Sequence, residues 1–158
     1  MEKKNGIIQQ YYDMEKIKLR YKYFIFNGKK EGVYKYHNNN GQLRTICNYK
    51  NGKLEGKYKT YHTDGQLYIM CNYVNDDKEG EYKVYHENGQ LFRICNYENN
   101  KLEGEKKKYY PNGNLYIICN YNNNKKEGEY KAYHENGQLW KICNYKNNKM
   151  KWGKYYNI

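Results

Sequence analysis

The sequence contains no serine, a single alanine (Ala132), a single proline (Pro111) and three threonines. Without serine, the chain cannot be a Ser-His-Asp hydrolase. Strong helix formers such as alanine are scarce and tyrosine supplies 23 of the 158 residues, so the composition favours strands. The hydrophobic fraction of 38% falls to about 23% when the 23 tyrosines are left out. We therefore expect neither a conventional apolar core nor a disordered chain.

Long apolar runs are also missing. No stretch approaches the roughly 18 residues of a transmembrane helix, and no apolar stretch of the signal-peptide type follows Met1. Five cysteines, an odd number, are typical of a reducing compartment. These features predict an intracellular, cytoplasmic protein.

The net charge of +12 is concentrated at the two ends of the chain. Residues 1–30 carry eight basic and three acidic groups, and residues 139–158 carry five lysines and no acid. The 108 residues between them hold sixteen basic and fourteen acidic groups. A nucleic-acid groove needs a continuous basic stripe, so this balanced middle argues against a nucleic-acid partner. Lysine-rich ends suit an anionic membrane, or they guard exposed sheet edges against pairing.

A repeat of 24 residues organises the sequence. Glu-Gly recurs at 31, 55, 79, 103 and 127, and cysteine recurs at 47, 71, 95, 119 and 143. The unit reads E-G-x-Y-K-x-Y-H-x-N-G-Q-L-x-x-I-C-N-Y-x-N-N-K-x. Atypical terminal copies are expected of a stacked array. We predict a single repeat domain over 1–158, with a degenerate repeat over 7–30, full repeats over 31–54, 55–78, 79–102, 103–126 and 127–150, and a half repeat over 151–158.

Each unit predicts a β-hairpin. Two short runs rich in tyrosine and isoleucine flank Asn88-Gly89, a strong hairpin signal. A second turn follows at Asn99-Asn100, whose residue types tolerate the left-handed conformation. A unit of this length leaves no room for a crossover helix. The predicted fold class is all-β: an elongated, single-layer antiparallel β-meander of tandem 24-residue hairpin repeats, with edge strands through which the chain could form a homo-oligomer.

The turn at Asn88-Gly89 sets the register. A two-residue turn pairs Tyr85 with Phe92, and Cys95 with Tyr82, whereas a three-residue turn shifts these pairs by one. The two-residue register also places Tyr97 opposite Gly80 and His86 opposite Leu91. It puts the leucine and cysteine columns on one face and the aromatic pairs with the isoleucines on the other. Such aromatic pairs either pack only on one another or bind a protein partner. The candidate partner-binding residues are Tyr61, Tyr68, Tyr85, Phe92, Tyr109, Tyr116, Tyr133 and Trp140.

The other chemically active side chains recur once per repeat, which is typical of structural positions. Equivalent cysteines lie two strands apart, about 9–10 Å, too far for a disulfide, and no zinc-type spacing is present. We interpret them as small buried apolar residues. The four histidines (His37, His62, His86, His134) flank turns, and Tyr110 replaces one, so we interpret them as hairpin-end residues that cover leucine. The glutamates form surface columns beside lysines. We expect no catalytic residue, no metal site and no cofactor.

The unit G-x-Y-x-x-Y-x-x-N-G-x-L-x-x-x-x-x-Y-x-N-x-K-x-x-G resembles the MORN repeat, in the variant form of many bacterial and large-virus proteins. The resemblance covers about residues 7–158, although the regular tryptophan of the standard unit is absent. It implies a twisted sheet of successive hairpins and a non-enzymatic scaffold for protein–protein interaction. Two alternatives remain. One is a peripheral adaptor that binds anionic phospholipid membranes through its lysine-rich ends. The other, implied by the resemblance, is an antitoxin-like protein that neutralises a partner.

Overall fold

The computed structural model describes residues 5–156, so residues 1–4 and 157–158 of the predicted repeat domain lie outside the described residues. The described chain contains fourteen β-strands and no helix. The prediction of an all-β antiparallel meander is confirmed. The described residues divide into two compact units, one ending at Asp77 and the other beginning at Lys78. None of the described residues forms a helix long and apolar enough to cross a membrane.

The first unit is an antiparallel sheet in which neighbours in sequence are neighbours in space. The strands β5 and β6 both pair with β4 and together correspond to one strand of a regular repeat, which is broken at Glu55. The N–H of Glu55 donates to the carbonyl of Asn48 at 2.9 Å. The strands are β1 (Gly6–Tyr11), β2 (Leu19–Phe26), β3 (Lys29–His37), β4 (Leu43–Lys50), β5 (Lys53–Leu54), β6 (Gly56–Tyr61) and β7 (Leu67–Val74).

The second unit repeats the same pattern with fewer irregularities. Each strand again pairs antiparallel with the next one along the chain. The strands are β8 (Asp77–Tyr85), β9 (Leu91–Glu98), β10 (Lys101–Tyr109), β11 (Leu115–Asn122), β12 (Lys125–Tyr133), β13 (Leu139–Lys146) and β14 (Lys149–Tyr155).

The sheet uses two kinds of turn. Asn99 and Asn100 both have positive φ, 49° and 64°, as the two-residue type I′ turn requires, so this turn is as predicted. The other turn is wider. His86 donates its N–H to the carbonyl of Gln90 at 2.8 Å and accepts one from Gly89 at 3.0 Å, and Gly89 has φ 79°. Three residues therefore separate the paired strands, and the prediction of a two-residue turn at Asn88-Gly89 is wrong.

A β-bulge absorbs the shift that the wider turn creates. Val84 pairs with Arg93 but Tyr85 pairs with Leu91, which leaves Phe92 as the extra residue on β9. Below the bulge the register is as predicted, with Cys95 opposite Tyr82 and Tyr97 opposite Gly80. A one-residue slip without a bulge would have turned the whole strand over and exposed its cysteine.

The predicted aromatic pairs are therefore wrong throughout the chain. The tyrosine that ends the first strand of each regular hairpin, such as Tyr85, pairs with a leucine, because the same bulge recurs in each hairpin. The observed pairs are Tyr61 with Leu67, Tyr85 with Leu91, Tyr109 with Leu115 and Tyr133 with Leu139, in place of Tyr68, Phe92, Tyr116 and Trp140.

The buried core is small and consists mainly of the cysteine column. The five cysteines are only 0–4% exposed, and Val84, Leu102 and Ala132 are the other buried apolar residues described. All five thiols are free. Their interpretation as small buried apolar residues is confirmed.

Candidate functional site

One face of each unit carries tyrosine rings packed over the buried cysteines; we call it the tyrosine face. In the second unit the rings of Tyr82 and Tyr97 are T-shaped, with centroids 5.5 Å apart, on the strands that pair Tyr82 with Cys95. T-shaped packing is favourable because the positive edge of one ring meets the negative face of the other. The same contact recurs in Tyr130–Tyr145, and in the first unit in Tyr34–Tyr49 and Tyr58–Tyr73.

Lysines lie over these rings. The ammonium group of Lys30 is 5.0, 4.9 and 4.8 Å from the ring centroids of Tyr23, Tyr34 and Tyr49. Cation–π attraction holds such a charge on the ring faces. In the second unit Lys78 lies over Tyr82 and Tyr97, and Lys126 lies over Tyr130 and Tyr145. Part of the positive charge of the chain is thus engaged within the tyrosine face.

The opposite face of the second unit carries glutamate–lysine pairs; we call it the ion-pair face. The carboxylate of Glu81 contacts the ammonium of Lys83 at 2.6 Å, and this hydrogen bond raises the pKa of Lys83. Glu105–Lys107 and Glu129–Lys131 repeat the contact at 2.6 and 2.5 Å. A depression on this face is lined by Leu91, Ile94 and Tyr109 together with Glu81 and Lys107. The predicted face of the leucine column is wrong, because the bulge places Leu91 beside Ile94.

Phe92 lies on the tyrosine face. Lys108 lies over its ring at 5.5 Å, Lys108 is the strand partner of Arg93, and the guanidinium of Arg93 lies 5.1 Å from the ring centroid of Tyr82. Phe92 packs on His86 at 5.0 Å. The equivalent rings pack in the same way, in the contacts His62–Tyr68, Tyr110–Tyr116 and His134–Trp140.

The eight candidate partner-binding residues are thus divided between two surfaces. We call Phe92, Tyr116 and Trp140 in the second unit the outer aromatic row, and Tyr68 holds the equivalent position in a repeat of the first unit. Tyr61, Tyr85, Tyr109 and Tyr133 instead pair with leucines. In the second unit the three tyrosines of this second set also lie close enough to Lys83, Lys107 and Lys131 to influence those ammonium groups, which places them on the ion-pair face.

The residue that precedes the wide turn, which is a histidine in most repeats and Tyr110 in one, connects its hairpin to the next; we call this place the histidine position. This role was not predicted from the sequence. His86 Nε2 is 3.0 Å from the carbonyl oxygen of Tyr109, so this nitrogen carries the proton and donates it. The Tyr110 hydroxyl donates to the carbonyl of Tyr133 at 2.8 Å. In the first unit Tyr12 donates to the carbonyl of His37 at 2.9 Å. Histidine and tyrosine exchange at this position because both present a donor at the same reach.

Comparison with known families decides the identity of the repeat. The sequence profile of the MORN repeat variant matches residues 30–51, 54–75, 78–99, 102–123 and 126–147. The protein belongs to the MORN repeat variant family. The resemblance predicted from the motif is confirmed. Proteins built of MORN repeats are typically non-enzymatic scaffolds, commonly in protein or membrane-lipid interactions.

Comparison with individual proteins adds little to this identification. The chain is similar to a crystal structure of a GtfA/B complex bound to UDP and GlcNAc, with 14% identity and a TM-score of 0.30. The similarity covers 72% of this chain but only 22% of that chain. No curated protein matches the chain.

Three of the buried cysteines of these MORN units, Cys47, Cys95 and Cys119, are poor nucleophiles. Burial raises the pKa of Cys47 to about 11 and also raises the pKa of Cys95 and Cys119. The reactive form of cysteine is the thiolate, and these thiols stay protonated at neutral pH. Between residues 5 and 156, no three histidine, cysteine or acidic side chains lie close enough together to hold a metal ion.

The Glu-Gly motif of each MORN unit secures the next turn. Glu103 Oε2 accepts a hydrogen bond from the backbone N–H of Asn123 at 2.8 Å. This role was not predicted from the sequence, where the glutamates were interpreted only as surface columns. The available signal was a glutamate followed at a fixed interval by a turn asparagine. The same bond joins Glu31 to Asn51, Glu55 to Asn75, Glu79 to Asn99 and Glu127 to Asn147.

Proposed function

We propose that this MORN protein is a non-enzymatic scaffold that binds another protein through the outer aromatic row. The observation that supports this proposal is one aromatic ring per hairpin, held at the same place in every regular repeat by a bulge. In the second unit Phe92, Tyr116 and Trp140 are half-exposed, and in the first unit Tyr68 is exposed. Equivalent positions two strands apart lie roughly 10 Å from one another, a spacing that suits a partner contacting successive repeats.

The outer aromatic row is better suited to binding than the other rings. The rings of Tyr82 and Tyr97 are already in contact with each other and with Lys78. The rings of the outer aromatic row pack on the histidine or tyrosine that precedes the wide turn, which fixes their orientation before a partner arrives, and Lys108 also lies over Phe92. Rigid, partly exposed aromatic residues supply most of the binding energy in protein interfaces.

The chemistry of the remaining groups supports a scaffold rather than an enzyme. The thiols of Cys47, Cys95 and Cys119 are kept protonated by burial. The glutamates of the Glu-Gly motifs, such as Glu103, accept hydrogen bonds from backbone N–H groups. In the second unit Glu81 and Glu105 form ion pairs with lysines. A general acid or base has to reach a bound substrate, and these carboxylates are committed to the sheet itself.

The test compares two double variants, each of which removes two aromatic rings from the second unit. The first variant, Phe92→Ala with Tyr116→Ala, removes two rings of the outer aromatic row. The control variant, Tyr85→Ala with Tyr109→Ala, removes two of the tyrosines that pair with leucines. A partner is first isolated from native lysate with the unaltered protein and then purified and titrated. We expect the first pair to weaken binding at least tenfold, about 1.4 kcal/mol, and the control pair to leave it within about twofold.

Thermal unfolding of both double variants shows whether a lost interaction is only a lost fold. The proposal fails if a folded variant lacking the outer aromatic row binds the partner as well as the unaltered protein does. It also fails if only the control pair reduces binding. If the chain instead sediments with phosphatidylserine vesicles at low salt and retains no protein, the membrane-adaptor alternative replaces it. Rescue of cells from the toxicity of the isolated partner would establish the antitoxin alternative.

A further inference from the structure

Among the described residues of the first unit, the corresponding face carries none of the glutamate–lysine pairs seen in the second unit. On β8 the ammonium of Lys83 has Glu81 two residues before it. On β3 the equivalent of Glu81 is Val33, which leaves Lys35 without that carboxylate. The structure records no ion pair for Lys35 among residues 5–156.

A second lysine stands next to this one. In the second unit the lysine also faces an isoleucine on the preceding strand, as in the pair Lys107–Ile94 between β10 and β9. On β2, Lys22 occupies the position of that isoleucine, and it lies directly opposite Lys35 on β3. Like charges directly across a strand pair repel each other and destabilise the sheet. A bound anion would relieve this repulsion.

An apolar depression lies beside the two lysines. Its volume is about 580 Å³, and its lining includes Ile7, Phe24, Val33 and Ile46 together with the two lysines. Ile7 is 62% exposed, Val33 50% and Phe24 39%. Large apolar side chains exposed together in a hollow are characteristic of a binding surface.

We propose that this depression binds an acidic segment of a partner protein, with an apolar side chain in the hollow and carboxylates on Lys22 and Lys35. The charges are complementary, and the hollow has the size of a few side chains. An anionic membrane would instead be met by apolar groups that project from the surface and insert into the lipid. This site lies in the first unit on the face opposite its tyrosines, so it is additional to the outer aromatic row and does not depend on it.

The test is a fluorescence anisotropy titration of the full chain with a labelled peptide, EEDLFDEE. We expect the peptide to bind, the affinity to fall with increasing salt, and the charge-reversed peptide KKRLFRKK not to bind. Val33→Glu gives Lys35 the partner that Lys83 already has, and we expect it to weaken binding at least tenfold. This substitution is compatible with the fold because three other repeats carry glutamate at the same position.

The matched control is Val74→Glu, which makes the same substitution at an exposed valine of the same unit, 46% exposed on β7. It changes the net charge equally but lies away from the depression, so we expect binding to stay within twofold. The proposal is overturned if EEDLFDEE does not bind, if both peptides bind alike, or if V33E and V74E weaken binding equally. It is also overturned if V33E abolishes binding to phosphatidylserine vesicles but does not change peptide binding. None of these outcomes bears on the outer aromatic row.

Discussion

The protonation state of a few partly buried residues makes the stability of the sheet depend on pH. The thiol of Cys47 and the phenols of Tyr49 and Tyr121 are partly withdrawn from water, which favours their neutral forms. Burial raises the pKa of Tyr49 and of Tyr121 from the usual 10.0 to about 12, and that of Cys47 from 9.0 to about 11. A raised pKa in the folded state means that the unfolded chain loses these protons first as the pH increases.

We therefore predict alkaline destabilisation. The contribution of these neutral groups to stability is fully present below about pH 9 and is lost as the pH rises through the folded values near 11 and 12. Denaturant unfolding followed by circular dichroism at successive pH values measures the loss, and tyrosinate absorbance measures the titration. Native tyrosines that all titrate at the ordinary pH 10, with unchanged stability, would contradict the prediction.

At the level of the secondary-structure elements, each hairpin is attached to its neighbour by its turns as well as by strand pairing. The N–H of Asn124 donates to the carbonyl of Leu102 at 3.0 Å, and Glu103 accepts from Asn123. A turn that would otherwise present its backbone groups only to water is thus fixed to the preceding one. The Glu-Gly motif recurs because each copy holds the following copy.

This arrangement predicts different effects for two neighbouring glutamates. Glu103→Ala removes an acceptor from a backbone N–H, and we expect it to lower the free energy of unfolding by about 1 kcal/mol. Glu105→Ala removes one partner of an exposed ion pair, and we expect a loss below about 0.5 kcal/mol. Urea unfolding of both variants measures the difference. Equal losses, or a larger loss at Glu105, would show that the turn does not depend on this bond.

The bulge marks the point where sequence-based prediction reaches its limit. The asparagine pairs at the outer turns can be recognised because two consecutive left-handed residues have few other uses. Asn88-Gly89 fits both a two-residue and a three-residue loop. The wider loop is stabilised by a local bond in which Asn88 Oδ1 accepts the N–H of Gln90 at 3.0 Å. The buried Cys95 then requires the register to be restored, and only a bulge does so.

The candidate site shows the same limit. Residue type alone identified Phe92 and Tyr85 as aromatic surface residues, but the face of each depends on a one-residue shift. The role of the histidine position was also missed, although the exchange of histidine for Tyr110 showed that a shared property was needed there. That property is a donor reaching the carbonyl of the next hairpin.

On the scale of the whole molecule, the 24-residue hairpin is the structural repeat from which each unit is built. In the second unit, each hairpin contributes one cysteine, one aromatic ring of the outer aromatic row and two turns in the same places. The stability of such an array is approximately a sum of hairpin and neighbour contributions. Removing one whole copy should therefore lower stability without changing the fold, whereas removing half a copy should break the alternation of strands.

Deletion of residues 103–126, compared with deletion of residues 103–114, tests this account most directly. The longer deletion joins Leu102 to Glu127 and recreates the Leu-Glu-Gly junction, while the shorter one joins Leu102 to Leu115 and places a second-strand sequence where a first strand belongs. Circular dichroism with urea unfolding measures both variants. We predict a cooperatively unfolding β-sheet for the longer deletion, and loss of cooperative structure in the second unit for the shorter one. Equal behaviour of the two would contradict the account.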